Sequence, residues 1–227
     1  MPTDQEARLR TARHYDEAYY RGQYGAVMED ELNYTLLSLY WRDALFIRNG
    51  LDTKAKVLDF GCGVGQVSAA LPDTVCFDVS PVALAELRRR GRVVKERRED
   101  IPPESFDYLL SSHSLEHSSS PYQDLEEFHQ YLRPDGQIVL VLPVETHLRP
   151  ALQPDWNQHL QAWTFQTITN MLVSTGWKPM HQSMIYGPYM LRTLGKRWAA
   201  ERTIRVASLL GRLRRGGASM LTIARIV

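Results

Sequence analysis

The chain has 227 residues, with 27 basic and 26 acidic side chains and a formal net charge of +1 at neutral pH. This length supports one domain with a core of its own, and the balanced charge argues against a general affinity for nucleic acid. Its two cysteines, Cys62 and Cys76, lack metal-ligand spacing and fit a reduced compartment. Without a signal-peptide pattern or a membrane-spanning apolar run, the sequence predicts a single cytoplasmic domain over residues 1–227.

Residues 1–50 are predicted to form a helical cap that is rich in tyrosine. Residues 14–25 are expected to be a loop, and a long helix should run from about Glu29 to Arg48. The apolar residues of that helix recur at helical spacing and should face the core. They are Leu32, Leu36, Leu39 and Tyr40.

Residues 55–187 alternate strand and helix patterns, which is typical of an α/β body. The most informative segment is 57–65, Val-Leu-Asp-Phe-Gly-Cys-Gly-Val-Gly. Its apolar residues predict a buried strand, its glycines permit a tight turn, and residues 65–71 have helical spacing up to Pro72. A strand, glycine loop and helix in succession place a nucleotide at the carboxyl edge of a parallel sheet. The glycines taken alone are also compatible with a tight turn that binds nothing.

Two acidic residues narrow down the kind of nucleotide. The dinucleotide fingerprint needs a glycine where this chain has Gln66, and Asp59 would repel a diphosphate while attracting a cationic group. A second strand, 74–80, carries Asp78 near its end, where a carboxylate can accept hydrogen bonds from both ribose hydroxyls. Asp78 could instead cap the following helix, although Ser80 suits that position better.

Further elements follow in the order expected of such a sheet. Helices are predicted at 81–90, 121–132 and 164–175, a third strand near 92–95 and a fourth from Phe106 to Ser111. A polar loop, 111–117, follows the fourth strand. A turn at 133–137 leads into a fifth strand at 138–142.

Four motifs in this order resemble those of the class I S-adenosylmethionine (SAM)-dependent methyltransferases. They are D-x-G-C-G-x-G within 57–65, the segment 98–110, the x-L-E-H loop 111–117 of the type 11 and type 12 small-molecule enzymes, and the turn 133–137. Asp135 departs from the L-x-P-G-G pattern of that turn. The resemblance covers about residues 55–145. It implies a Rossmann-like, doubly wound, seven-stranded sheet of order 3-2-1-4-5-7-6 with an antiparallel last strand.

The resemblance also implies SAM as the cofactor and a set of residues that contact it. Asp59 and the glycine loop would border its methionine half, Asp100 would bond the adenine amino group, and Ile101 would pack on the ring. One or two tyrosines of 14–25 would close over the cofactor. The expected cofactor-binding residues are Asp59, Gly61, Cys62, Gly63, Gly65, Asp78, Val79, Asp100, Ile101, Ser112 and His113.

Methyl transfer to oxygen requires removal of a proton, and an imidazole that titrates near neutrality suits that task. The candidate catalytic residues are His113 and His117, with His147, His159 and Glu145 as further candidates at the same edge. The x-L-E-H histidine could equally order its loop. The N-P-P-Tyr tetrapeptide of amide and amine methyltransferases is absent.

The acid set of the metal-dependent catechol enzymes is not evident either, so no metal is expected. The sequence therefore predicts metal-independent O-methylation of a small molecule, a sugar, glycan-precursor, polyketide-type or quinone-type hydroxyl. Two alternatives stay open: a SAM-binding or partner-binding protein without catalysis, and a nicotinamide oxidoreductase. The oxidoreductase would need a glycine at position 66 and a Tyr-x-x-x-Lys motif, and this chain has neither.

The C-terminal region predicts a hairpin of strands 177–186 and 218–227, interrupted by an insertion at 188–217. The insertion carries eight basic side chains against one acidic residue, Glu201. Its apolar residues at helical spacing are Leu191, Leu194, Trp198, Val206, Leu209, Leu210 and Leu213. A basic amphipathic helix pair could border the acceptor pocket, favour an anionic or lipid-linked acceptor, or contact a membrane surface. The alternative is a helical lid whose arginines are solvated or paired with the acidic body.

Overall fold

A seven-stranded sheet forms the centre of the protein in the computed structural model, which describes residues 15–145, 152–153 and 156–227. The strands are β1 (Val57–Phe60), β2 (Thr74–Phe77), β3 (Val93–Lys95), β4 (Phe106–Ser112), β5 (Leu132–Pro143), β6 (Trp177–Tyr186) and β7 (Ala218–Ile226). Their order is β3-β2-β1-β4-β5-β7-β6. The pairs from β3 to β5 are parallel, and β7 is antiparallel to both of its neighbours. The predicted sheet order and its antiparallel last strand are confirmed.

Seven α-helices are present among the described residues. They are α1 (Glu17–Met28), α2 (Glu31–Leu45), α3 (Pro81–Arg89), α4 (Pro121–Glu127), α5 (Phe165–Ser174), α6 (Leu191–Gly195) and α7 (Ala200–Arg214). Several start where a side chain accepts a hydrogen bond from an N–H of the first turn, as Asp30 does for α2, Ser80 for α3 and Thr164 for α5. None of these helices combines the length and apolarity needed to cross a membrane.

The sheet is covered on both faces, and its strands divide their residues between the two sides. On β5, Leu140 and Leu142 pack into one buried cluster, whereas Val139 and Val141 pack into the other. This alternation is the period of two of an extended strand. The consecutive apolar residues that predicted the strands are therefore buried because each face of the sheet has its own core.

The segment 14–25, predicted to be a loop, is helical from Glu17 onward, so that prediction is wrong. Asp16 caps α1 by accepting a hydrogen bond from the Tyr19 N–H. Tyr19 and Tyr20 are buried against Val64, next to the glycine loop. The tyrosines thus form the packing face of a helix.

The helix predicted at 65–71 is absent, and the segment forms a series of turns. Gly65 has a φ of +77°, which no residue of a right-handed helix adopts. Only a few residues then remain before Pro72, too few to nucleate a stable helix. Val67 and Leu71 are nevertheless buried, so their spacing reflects the core and not a helix.

Smaller differences occur at the ends of elements. The helix predicted at 121–132 ends at Glu127 and continues as a 3-10 turn to Tyr131. Strand β5 starts at Leu132, and residues 133–136 form a bulge where a turn was predicted. Helix α2 is shorter than predicted, and Leu32 is exposed at its first turn.

The insertion forms two helices between β6 and β7 as predicted, but α7 buries a different face. Its buried residues are Thr203, Ile204, Ala207, Ser208 and Gly211. Leu209 and Leu213 of the predicted apolar stripe are 53% and 73% exposed. Small side chains dominate the buried face because α7 lies close to the end of β6.

A prediction follows from two helical glycines in contrasting surroundings. A Cβ at position 211 would lie 2.2 Å from the Gly187 carbonyl oxygen, whereas a Cβ at position 25 in α1 would meet nothing within 4 Å. We expect Gly211→Ala to lower the free energy of unfolding by about 1–3 kcal/mol through overpacking. Gly25→Ala should raise it by about 0.5–1 kcal/mol. Urea denaturation measures both, and equal effects of the two variants would contradict the packing described for α7.

Candidate active site

A cavity of about 580 Å³ opens at the carboxyl ends of β1, β2 and β4, within the size range of ligand pockets. Helix α1 covers it from the side of the cap. Most of the residues expected to bind or react at this edge line the cavity together: Asp59, Gly61, Cys62, Gly63, Asp78, Val79, Ser112, His113 and His117. Gly65, Asp100 and Ile101 are not part of its lining.

The glycine loop is held in place by close contacts. Gly61 has a φ of +72°, and a Cβ there would lie 1.9 Å from Ser114 Oγ, so a side chain is excluded where this loop meets the loop after β4. Gly63 has no such neighbour and faces open space. At Gly65 a Cβ would lie 2.7 Å from Leu87 Cδ2, which makes this glycine a packing position. Two of the three glycines therefore shape the cavity, and the third serves the core.

Asp78 joins two loops at the cavity floor. One carboxylate oxygen accepts a hydrogen bond from the Gly63 N–H at 2.8 Å, and the other accepts one from the Ser80 N–H at 2.8 Å. Ser80, not Asp78, caps α3, as expected. Each carboxylate oxygen keeps a second lone pair for a ligand hydroxyl. Burial raises the pKa of Asp78 above its ordinary value.

Asp59 is a buried acid whose charge Ser68 and Arg92 compensate only in part. It is 1% exposed, and its Oδ2 makes no hydrogen bond within the described part of the chain. Burial raises its pKa to about 6. Two acids with raised pKa values at the same edge create a site that a cationic ligand stabilises.

The expected adenine contacts are placed differently. Asp100 is exposed, and Ile101 is buried in the core on one face of the sheet. Arg98 lines the cavity instead, forms an ion pair with Asp124 at 2.7 Å and contacts Glu127. Its guanidinium lies 5.0 Å from the centre of the Phe60 ring. The roles of Asp100 and Ile101 stay predictions.

Within the described part of the cap, five aromatic residues belong to the lining: Tyr15, Tyr19, Tyr20, Tyr24 and Trp41. The Tyr15 hydroxyl lies 2.7 Å from His117 Nδ1, and the Tyr15 carbonyl accepts a hydrogen bond from Ser80 Oγ at 2.8 Å. Tyr15 therefore connects the loop after β2 with the loop after β4. The tyrosine-rich composition pointed to this cover, but only the structure shows which contacts fix it.

Three imidazoles surround one buried carboxylate in the cavity wall. Glu116 Oε1 lies 3.5 Å from His113 Nδ1, 3.9 Å from His117 Nε2 and 4.0 Å from His159 Nε2. The Glu116 side chain is fully buried, and neither of its oxygens has a hydrogen-bond partner among the described residues. Burial lowers the pKa of His117.

His159 reaches this cluster through two local contacts. Its Nδ1 contacts Glu145 Oε1, and the Glu116 carbonyl accepts hydrogen bonds from the Leu160 and Gln161 N–H groups at 2.9 and 3.1 Å. Sequence reasoning named His159 and Glu145 but missed Glu116. Glu116 is the acidic residue of the x-L-E-H motif, so the sequence contained it, but the motif analysis gave it no role. His147 lies outside the described residues.

His113 is held in an unusual conformation at the end of β4. Its φ is +50°, its N–H donates to the Val141 carbonyl at 2.8 Å, and its Nε2 lies 3.0 Å from Ser219 Oγ. A non-glycine residue with positive φ stores strain that is typical of functional sites. Its side chain is 41% exposed, so it is the member of the cluster most open to a ligand.

The basic insertion does not border this cavity, contrary to the expectation. No residue of 188–217 belongs to the lining. Helices α6 and α7 pack on α2, where Leu191, Ile204 and Ala207 meet Leu36 and Tyr40. The insertion therefore covers the outer side of the cap helix.

Comparisons with known proteins identify the family. The methyltransferase domain family matches residues 30–182, about two thirds of the chain. The chain belongs to the class I SAM-dependent methyltransferases. It is an enzyme whose cofactor is SAM, as the glycine loop and its neighbouring acids predicted.

One curated relative matches about half of this chain. The methyltransferase is 32% identical over 123 residues to a malonyl-[acyl-carrier protein] O-methyltransferase of Enterobacter lignolyticus, in a match that covers 50% of this chain and 49% of the relative. The chain thus spans about half the length of that relative.

Two solved structures show the same fold at low identity. The 1,6-didemethyltoxoflavin-N1-methyltransferase of Burkholderia thailandensis, with S-adenosylhomocysteine bound, matches at a TM-score of 0.65 with 16% identity, over 100% of this chain and 92% of that one. The [4+2]-cyclase SpnF matches at 0.56 with 18% identity, over 86% and 81% of the two chains. Since a cyclase has the same fold, the fold does not determine the reaction.

Asp59 gives a prediction for both stability and cofactor binding. Its pKa of about 6 in the folded protein exceeds the value of about 3.9 of an unfolded chain, so its contribution to stability is present at low pH and is lost as the pH rises through 6. We expect Asp59→Asn to stabilise the cofactor-free protein at pH 7.5, by up to about 3 kcal/mol. The same change should weaken S-adenosylhomocysteine binding, because a carboxylate that attracts the amino group is lost.

Denaturation at pH 4 and pH 7.5, with calorimetry of S-adenosylhomocysteine, tests this prediction. The gain in stability should be present at pH 7.5 and small at pH 4. Asp73→Asn, which changes an exposed acid after the glycine loop, is the control and should alter neither quantity. An Asp59→Asn variant that binds as tightly as the wild type would contradict the role of this carboxylate.

Proposed function

We propose that the methyltransferase transfers the methyl group of SAM to a hydroxyl oxygen of a small molecule. The observation that carries this proposal is the group of three imidazoles around the buried Glu116, in the wall of the cavity formed by the glycine loop. An oxygen nucleophile must lose a proton, and such a group can accept it. The partial match to an O-methyltransferase supports the same reaction class.

Three residues that the sequence indicated support cofactor binding in this cavity. Oδ2 of the buried Asp59 has no hydrogen-bond partner among the described residues, a Cβ at Gly63 would meet nothing within 4 Å, and Asp78 has lone pairs for hydroxyl groups. Bound SAM supplies an activated methyl group on a sulfonium. The protein holds the two reactants in line, which is the main requirement of such a displacement. The tyrosines of α1 cover the site and limit the access of water.

His113 is the best-placed proton acceptor in the proposed reaction. It lines the cavity, and its Nδ1 faces Glu116, whose carboxylate would stabilise the imidazolium. His117 and His159 are less accessible, because their side chains are 15% and 14% exposed against 41% for His113. The hydroxyl proton passes to the imidazole while the oxygen–methyl bond forms. The sulfur–methyl bond breaks and leaves its electron pair on sulfur.

The charges in the lining favour a neutral acceptor. Among the described residues, five acidic side chains line the cavity: Asp59, Asp78, Glu116, Asp124 and Glu127. Arg98 is the one lysine or arginine in this described lining, and it is paired with two of them. An anionic acceptor would meet repulsion here, whereas a sugar, polyketide-type or quinone-type hydroxyl would not. We therefore place neutral hydroxyl compounds first among the acceptors.

His113→Ala provides the test of this function. A panel of sugars, phenols and hydroquinones is incubated with SAM, and products heavier by one CH₂ are detected by mass spectrometry. With the acceptor found, we expect His113→Ala to lower the transfer rate about 10²–10⁴-fold. S-adenosylhomocysteine affinity should change little, because Asp59 and Asp78 are untouched.

The matched control is His181→Ala, an exposed histidine of β6 whose ring contacts Ser183. It should retain the wild-type rate. An unchanged rate in His113→Ala would refute its role as base, and an equal loss of cofactor binding would show that His113 is structural. If no member of the panel or of a cell extract gains a methyl group, O-methylation of small molecules is wrong.

The insertion supports a separate proposal about a partner. The exposed Leu209 and Leu213 of α7 lie beside the exposed Arg212, Arg214 and Arg215, a combination suited to an anionic membrane surface. We expect the protein to co-sediment with phosphatidylserine vesicles at low salt and to be released as salt rises. Replacing the three arginines with glutamine should abolish co-sedimentation and leave the transfer rate unchanged. If the wild type does not co-sediment, the membrane proposal is wrong and the helix pair only packs over α2.

A further inference from the structure

Glu116 is an anomaly that the proton-transfer role alone does not explain. Its carboxylate is fully buried and lacks any hydrogen bond from the described residues. Buried carboxylates are normally paired, hydrogen-bonded or bound to a metal. The side chain faces the cavity and not the core, since it belongs to the lining.

The distances from Glu116 to His117 and His159 are too long for hydrogen bonds and leave room for an ion between the three side chains. His117 Nε2 and His159 Nε2 lie 3.9 and 4.0 Å from Glu116 Oε1, too far for hydrogen bonding. One ligand atom from each of the three residues lies within 4.8 Å of the others. A metal bound at about 2.0–2.2 Å from each atom would hold them about 3.0–3.5 Å apart. Small side-chain rotations would close that difference.

Outer contacts orient both imidazoles toward the same point. His117 Nδ1 lies 2.7 Å from the Tyr15 hydroxyl, and His159 Nδ1 contacts the Glu145 carboxylate. Metal-binding histidines usually make such a contact with the nitrogen that does not bind the metal. In each ring Nε2 is the atom that faces Glu116, and in His117 the ion would replace a contact with the Gln158 backbone.

We propose that Glu116, His117 and His159 bind one divalent transition-metal ion, such as Mn²⁺, Fe²⁺, Co²⁺ or Zn²⁺. Two imidazoles and one carboxylate are the donor set that these ions favour, whereas Mg²⁺ prefers oxygen ligands. The sequence predicted a metal-independent enzyme because the acid set of the metal-dependent catechol enzymes is not evident, and His159 lies about 40 residues from the x-L-E-H loop. The structure brings the three side chains together.

Three protein ligands leave coordination positions open toward the cavity. A hydroxyl bound there would have a lowered pKa and would give its proton to His113 more easily. This catalytic role rests on the proposed O-methylation. Binding of the ion does not, and it is measured separately.

The first experiment measures binding to the full chain after treatment with a chelator. Calorimetry with ZnCl₂ and MnCl₂, and elemental analysis after gel filtration, should show one ion per chain. CoCl₂ should produce the visible absorption bands of a low-symmetry site. We expect His159→Ala and Glu116→Gln to weaken binding at least 100-fold, and Glu145→Gln to weaken it about 10–100-fold through the outer contact. His181→Ala should bind as the wild type does.

Folding of each variant is checked by circular dichroism and by S-adenosylhomocysteine affinity, which the metal site should not change. Because Glu116 is buried, Glu145→Gln decides the result if Glu116→Gln does not fold. The metal site is refuted if the wild type binds no stoichiometric ion, or if His159→Ala and Glu145→Gln bind as tightly as it does. It is supported if binding falls in both variants.

Measurements of methyl transfer then distinguish the metal site from the proposed O-methylation and from the catalytic role of the ion. If chelation removes the ion and methyl transfer falls and is restored by MnCl₂ or ZnCl₂, the catalytic role is supported. If the ion binds but transfer is unaffected by chelation, the site stands and its catalytic role is refuted. If O-methylation proceeds and no ion binds, the proposed function stands and the metal site falls.

Discussion

The site depends on carboxylates that are buried at the carboxyl edge of an apolar sheet. Asp59, Asp78 and Glu116 lie at or beyond the ends of β1, β2 and β4, and each is less than 10% exposed. Removing a charged carboxylate from water is costly, which is why burial raises the pKa of Asp59 and Asp78. The two-faced hydrophobic core offsets this cost, and ligand binding recovers part of it. The same burial makes the edge selective for a cationic group.

Few contacts connect the carboxylates to the rest of the fold. Asp78 ties the glycine loop to the start of α3, and Tyr15 ties the cap to the loops after β2 and β4. At Gly61 even one methyl group would collide with Ser114. A displacement of any one of these loops would therefore shift the others. The cap is part of the site because its tyrosines complete both the cover and the hydrogen-bond network.

The loop after β4 is where this protein acquires its own chemistry. The same fold occurs in methyltransferases and in a [4+2]-cyclase, so the sheet alone does not determine the reaction. Glu116 with its three imidazoles and the acidic lining are the features on which the two proposals rest, methyl transfer to a neutral hydroxyl and binding of a metal ion. The basic insertion packs against α2 and not at the cavity. Its positive surface charge therefore lies apart from the reaction site.

Local sequence rules predicted the strands, the glycine loop and the acids at the strand ends, whereas the sheet order followed from the family resemblance. Strand periodicity, positive-φ glycines and helix caps act over a few residues, so a pattern such as 57–65 can be read without the fold. The same rules failed where packing decides. Residues 65–71 have helical spacing but form turns, because Gly65 adopts a left-handed conformation and Pro72 limits the length.

Tertiary structure alone decided three features. Helix α7 turns its small residues inward and not its leucines, since the close approach to Gly187 admits no larger side chain. Asp100 is exposed and is not part of the cavity lining, whereas Arg98 belongs to it. His159 and Glu145 join the x-L-E-H loop only because backbone hydrogen bonds fix residues 160–161 to Glu116. Contacts between distant segments carry no local period, so the sequence could supply these side chains but not their arrangement.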